Sequence, residues 1–85
     1  MNFSNIKNER LLEIGVGLGA DHEILAKTGC ELYGIDLTDR AIEKTKKRFK
    51  YLNLKSNLTV ADAENLPFDD NYFSKIYSWG VLHHS

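Results

Sequence analysis

The sequence predicts an α/β fold, a parallel sheet covered by crossover helices. Three observations point there. Short apolar runs alternate with longer runs of helical periodicity, the pattern of βαβ units. A glycine-rich stretch, residues 15–19, stands directly between the first apolar run and the first helical one. The chain has 85 residues, 42% hydrophobic and 27% charged, which is the balance of one small globular domain.

The elements follow in order. Arg10–Ile14 (RLLEI) is short, apolar and stopped by glycine, so it is expected to be a buried strand. Residues 20–28 (ADHEILAKT) form a helix with Asp21 and Glu23 in its first turn, where acids suit the helix dipole, and Gly29 ends it. Glu31–Asp36 (ELYGID) is a second strand. Thr38 is placed to cap a long helix running through Leu52, with Ile42, Thr45, Phe49 and Leu52 on its core-facing stripe. Residues 58–61 give a third strand and 73–79 (FSKIYSW) a fourth. The connection between them, residues 62–72, holds Pro67 and a turn at Asp69-Asp70-Asn71, with room for one helical turn around 63–66.

Composition excludes several functions. Eleven Lys and Arg against twelve Asp and Glu leave a formal net charge of -1, without a basic field for nucleic acid or an anionic membrane. The lysine-rich stretch with Lys44, Lys46, Lys47, Arg48 and Lys50 is a solvated helix face. No apolar run is long enough for a membrane span or a secretory leader. The single cysteine, Cys30, makes no internal disulfide or zinc knuckle, and a reducing, cytoplasmic setting is expected. No metal site is expected, because the pair His83 and His84 lacks a third ligand.

The glycine run lets the chain turn tightly and lets a ligand lie against bare backbone. Asp36 ends the second strand 21 residues after Gly15, where a carboxylate can accept two hydrogen bonds from a ribose diol. Two cofactor classes use this arrangement, and Gly15-x-Gly17-x-x-Ala20 also satisfies a dinucleotide fingerprint. Glu13, just before the first glycine, disfavours a pyrophosphate and suits a ligand with a cationic end. Gly19 and the segment ADAENLPF (61–68) point to a nucleoside with a short amino-acid tail, since Asp62 beside a backbone N–H can read adenine.

LLEIGVGLGA, GIDLT, ADAENLPF and FSKIYSWGVLHHS together resemble the successive cofactor motifs of class I S-adenosylmethionine-dependent methyltransferases, nearest to small-molecule methyltransferases with DAENLPF and LHH segments. The likeness runs from about Arg10 to Ser85. It implies a Rossmann-like sheet, truncated to strands 1 to 4 of the family's seven, in the order 3-2-1-4. Residues 1–85 are then a partial methyltransferase domain, its cofactor-binding half, serving methyl transfer to a small-molecule acceptor. The resemblance places Glu13 and the run Gly15, Gly17, Gly19 along the methionine and ribose, Asp36 on the ribose hydroxyls and Leu37 on the adenine. Asp62 meets the adenine amino group, the Ala63 N–H a ring nitrogen, and Ser78 and Trp79 border the methionine end. Leu18 departs from the small polar residue common there.

In-line methyl transfer needs orientation more than acid–base help. His83 and His84 are the weak candidates for a base, besides His22. Tyr72 and Trp79 could shield a sulfonium, although packing is the commoner fate of such aromatics. Two other readings compete: a fragment of an NAD(P)-dependent oxidoreductase, and a non-catalytic fragment that needs a partner chain. With strand four at the end of the chain, its bare edge is expected to promote self-association through residues 73–79.

Overall fold

The structure is a computed structural model that describes residues 8–18, 21–69, 71–78 and 81–84, with the backbone alone at 18 and 81–84. The chain runs β1 (Arg10–Ile14), a 3-10 turn (Val16–Leu18), α1 (Asp21–Ala26), β2 (Glu31–Asp36), α2 (Asp39–Leu52), β3 (Asn57–Val60), β4 (Lys75–Ser78) and β5 (Val81–His84). The sheet order is β3-β2-β1-β4-β5. Strands β1 to β4 are parallel in the predicted order, and β5 is antiparallel on β4.

Strand β1 is central, so both its faces are covered, which is why it reads as a continuous apolar run. Leu11 packs with Leu25, Leu32, Phe49 and Tyr77 on the helical face of the sheet. Leu12 packs with Ile35 and Phe73 on the other face. Fully burying side chains such as Leu11, Leu12 and Leu25 stabilises the fold by about 1.5–3 kcal/mol each. Cys30 packs against the first cluster and donates its thiol to the Leu25 carbonyl at 3.4 Å, the small apolar role its sequence position suggested.

Helix α2 has the expected Thr38 N-cap, whose hydroxyl accepts from the Ala41 N–H at 3.2 Å. Ile42 and Phe49 bury its apolar stripe. Its C-terminus closes on Asn53 in the left-handed region (φ 59°), with the Leu54 N–H bonded to Phe49 O at 2.8 Å. Gly29, at φ 87°, ends the segment after α1 as predicted.

Two expectations are corrected. Strand β4 is not the sheet edge. Val81 to His84 continues the sheet beside it, with Ser78 opposite Val81 and Lys75 opposite His84, so both edges of β4 are hydrogen-bonded. The short run VLHH was too brief to stand out as a strand, and it is held by its partner's ladder rather than by its own pattern. The connection 61–74 also forms no helical turn at 63–66; an isolated bridge joins Asp62 and Asn65 instead. Beyond it, Tyr33, Phe68, Tyr72 and Phe73 pack ring on ring with centroids 4.9 to 5.8 Å apart and fasten this connection to the sheet. Phe73, read as the first residue of the fourth strand, is buried in this cluster before β4 begins.

Candidate functional site

In a parallel sheet the loops that leave the strand ends on one side form the natural ligand crevice. Here the carboxyl ends of β1, β2 and β3 enclose a cleft of about 250 Å³ lined by Ile14, Gly15, Asp36, Leu37, Asp62 and Ala63, among others. Five predicted site residues therefore come together: Gly15, Asp36, Leu37, Asp62 and Ala63.

Gly15 turns the chain at φ 85° and keeps its N–H on Ile35 O at 2.9 Å, so the loop leaves β1 tied to β2. Asp36 is oriented by three donors. The Thr38 N–H and hydroxyl reach Oδ1 at 3.1 and 3.2 Å, and the Gly17 N–H reaches Oδ2 at 3.2 Å. A carboxylate has about four acceptor positions and these donors take three, so one remains, on Oδ2, for a hydroxyl of a diol. Leu37 is 70% exposed beside it, a large apolar side chain standing open at the rim of the cleft. Asp62 accepts the Glu64 N–H at 2.9 Å on Oδ1, and its own carbonyl accepts from Asn65 at 3.0 Å, so a tight turn presents it.

Gly17 has a different neighbour from the one expected of a ligand-facing glycine. A Cβ there would stand 2.7 Å from Ala41 Cβ and 3.3 Å from Asp36 Oδ2. The absent side chain lets the loop close onto the start of α2.

Glu13 is not among the residues lining the cleft. It is 6% exposed and its Oε1 lies 2.8 Å from Nδ1 of His22, itself 2% exposed. The other ring nitrogen, Nε2, lies 2.7 Å from Ser56 Oγ. Nδ1–H donates to the carboxylate, while the Nε2–Ser56 bond can run in either direction, since the same hydroxyl also lies 3.4 Å from Leu32 O. The ring stacks on Phe49 at 5.1 Å and covers Gly34, where a Cβ would come within 2.7 Å of its Cε1. The neighbouring Asp21 accepts from the Tyr77 hydroxyl at 2.8 Å. Burial, then the bond to Asp21, pushes the Tyr77 phenol up to about 12.

Ser78 ends β4 opposite Ile14. Gly19 and Trp79 lie outside the described residues. His83 pairs with Ile76 and His84 with Lys75, so β5 carries both away from the Ser78 end of β4. Tyr72 is engaged elsewhere: Arg10 lies 4.2 Å over its ring and Tyr33 meets its hydroxyl at 2.7 Å. No group of three or more His, Cys, Asp or Glu among the described residues could hold a metal ion.

The sequence reading named five of the residues that line this cleft and missed what His22, Gly34, Ser56 and Tyr77 do. A glycine inside a strand pattern was the available signal, since Gly34 marks a close approach of another group.

The methyltransferase-domain family matches residues 12–85. The chain belongs to this methyltransferase family. Demethylmenaquinone methyltransferase from Tropheryma whipplei (strain Twist) is 36% identical over 69 residues, covering 80% of this chain and 28% of that protein. The chain thus spans under a third of the length of that curated relative. A SAM-dependent methyltransferase from Methanosarcina mazei superposes with a TM-score of 0.74 at 28% identity, covering 82% of this chain and 36% of that one. The Pyrococcus abyssi tRNA (uracil-54, C5)-methyltransferase, solved with S-adenosyl-L-homocysteine, shares the fold at 24% identity, with a TM-score of 0.71 and coverage of 86% and 18%.

Proposed function

We propose that this methyltransferase chain binds S-adenosylmethionine in the cleft at the ends of β1, β2 and β3, as the cofactor-binding part of an enzyme that methylates a small molecule. The observation that carries the reading is Leu37, 70% exposed beside the oriented Asp36 carboxylate and opposite Asp62 and Ala63. Leu37 counts here as part of a cleft, because apolar walls with a few convergent polar groups are the usual form of a small-molecule site. In this reading Asp36 binds the ribose hydroxyls, one of them on the open position of Oδ2 and the second by displacing a Thr38 donor from Oδ1, and Leu37 packs on the adenine. Asp62 accepts from the adenine amino group, and the Ala63 N–H donates to a ring nitrogen. Ser78 and Trp79 border the methionine end.

The bound cofactor supplies the activated methyl group, and the protein holds the acceptor in line with it. The near-zero net charge favours a small-molecule acceptor over RNA. A reducing, cytoplasmic setting fits the half-buried, unbridged Cys30, whose thiol burial pushes up and so makes less reactive. Among the described residues no helix is long and apolar enough to cross a membrane.

Calorimetric titration of the protein with S-adenosylmethionine and, separately, with NAD tests this. Saturable binding of the first and none of the second is expected. Binding of NAD alone, or of neither, overturns the reading.

A further inference from the structure

We infer that His22 is a positioning residue for cofactor binding: its bond to Glu13 ties the two stems of the glycine loop together, and Ser56 holds the far side of its ring. The inference rests on the reading of the cleft as an S-adenosylmethionine site.

The geometry is specific. Glu13 is the last-but-one residue of β1, and His22 is the second residue of α1, so the pair brackets the glycine loop at both ends. Their bond is 2.8 Å long and both side chains are buried. The loop between them is rich in glycine, and glycine loses the most conformational freedom on ordering. A buried bond across the stems removes part of that freedom before any ligand arrives, which is preorganisation. Ser56, just before β3, holds the far side of the ring at 2.7 Å. Gly34 on β2 leaves the space for it, and Phe49 on α2 stacks on it. The imidazole thus touches β1, β2, α2 and the segment before β3, and any shift of the loop must break contacts on several sides. Among the described residues Glu13 and Ser56 are the side chains that hydrogen-bond the ring.

The arrangement also changes the job of Glu13. An acid before the first glycine suggested direct contact with a cationic ligand end. Here its carboxylate is buried against His22, so its effect on the ligand passes through the loop.

The two roles separate experimentally. Glu13→Gln removes the charge and keeps an oxygen that accepts from Nδ1–H. His22→Phe keeps the ring shape and the stack on Phe49 and removes both hydrogen bonds. Ser56→Ala removes the outer bond, together with the long 3.4 Å bond of the same hydroxyl to Leu32 O, and serves if His22→Phe does not fold. The dissociation constant for S-adenosylmethionine is measured by calorimetry on each intact variant, well below its unfolding midpoint, and the midpoint is measured by circular dichroism.

Positioning predicts that His22→Phe weakens binding by about tenfold, the worth of one to two buried hydrogen bonds, with Glu13→Gln and Ser56→Ala each weakening it less. Glu13→Gln weakening binding more than His22→Phe would assign the carboxylate to the ligand and overturn the inference. So would folded His22→Phe, or Ser56→Ala in its place, binding as the wild type does while only the midpoint falls. Wild type that fails to bind S-adenosylmethionine removes the underlying reading; wild type that binds with unaffected variants removes this inference alone.

Discussion

The Gly17 amide donates to Asp36 Oδ2 at 3.2 Å, so the glycine loop is fastened to the acid that ends β2. One carboxylate therefore serves the fold and the cleft together. It holds the loop on one oxygen and the start of α2, through Thr38, on the other. A substitution at Asp36 should act on both.

Asp36→Ala is expected to weaken S-adenosylmethionine binding by about 1.5–3 kcal/mol, the range for hydrogen bonds to a charged group. It should also lower the unfolding midpoint, since three donors lose their acceptor. Asp36→Asn keeps one acceptor oxygen and should fall between wild type and alanine on both scales. Calorimetry and thermal melts on the same samples check this, and unchanged affinity in a folded alanine variant would remove Asp36 from the binding site.

Gly17 tests a different cause. Its missing side chain makes room for Ala41, 2.7 Å from where a Cβ would sit, rather than for a ligand alone. Gly17→Ala should destabilise the fold by about 1–3 kcal/mol through overpacking, and Ala41→Gly in the same chain should recover most of that loss. The measurement is the denaturation midpoint of the single and double variants. No recovery in the double variant would mean that the collision with Ala41 is not what the glycine avoids.

The parts of the fold that were legible in the sequence are those fixed by local chemistry. Thr38 announces α2 because a hydroxyl at that position satisfies an otherwise unpaired N–H. Leu11 and Leu12, adjacent and both apolar, announce a strand buried on two faces. Asp36 and the glycine loop announce a cleft because both follow strands that end on the same side of a parallel sheet. What was not legible depends on contacts between residues far apart in sequence. His22 looks like one more polar helix residue until Gly34 and Ser56, 12 and 34 positions away, are brought to its ring. Val81 to His84 has no strand pattern of its own length and becomes a strand because β4 offers it an edge. Glu13 stood out as an acid just before the first glycine, but charge alone could not say that a histidine nine residues on would take its carboxylate.

Tyr77 gives the pH dependence. Burial, and then the hydrogen bond to Asp21, raise its phenol to about 12 from an ordinary value of 10.0. A pKa raised on folding means that the neutral form is stabilised in the native state. That stability is fully present below about pH 10, the unfolded value, and is lost as the pH climbs through about 12. The unfolding free energy should therefore fall across this window more steeply in wild type than in Tyr77→Phe. Comparing the two cancels the lysine titrations common to both. Tyr33, whose phenol is also raised to about 12 by its bond to Tyr72, titrates in the same range, so the comparison is best made in a Tyr33→Phe background. Below pH 10 the Tyr77→Phe chain should be less stable by about 1 kcal/mol, the typical net worth of one hydrogen bond. Denaturant titrations at several pH values from 8 to 12 measure both effects, with absorbance at 295 nm reporting the late phenolate. Equal slopes in the two chains would mean that folding does not raise the Tyr77 phenol.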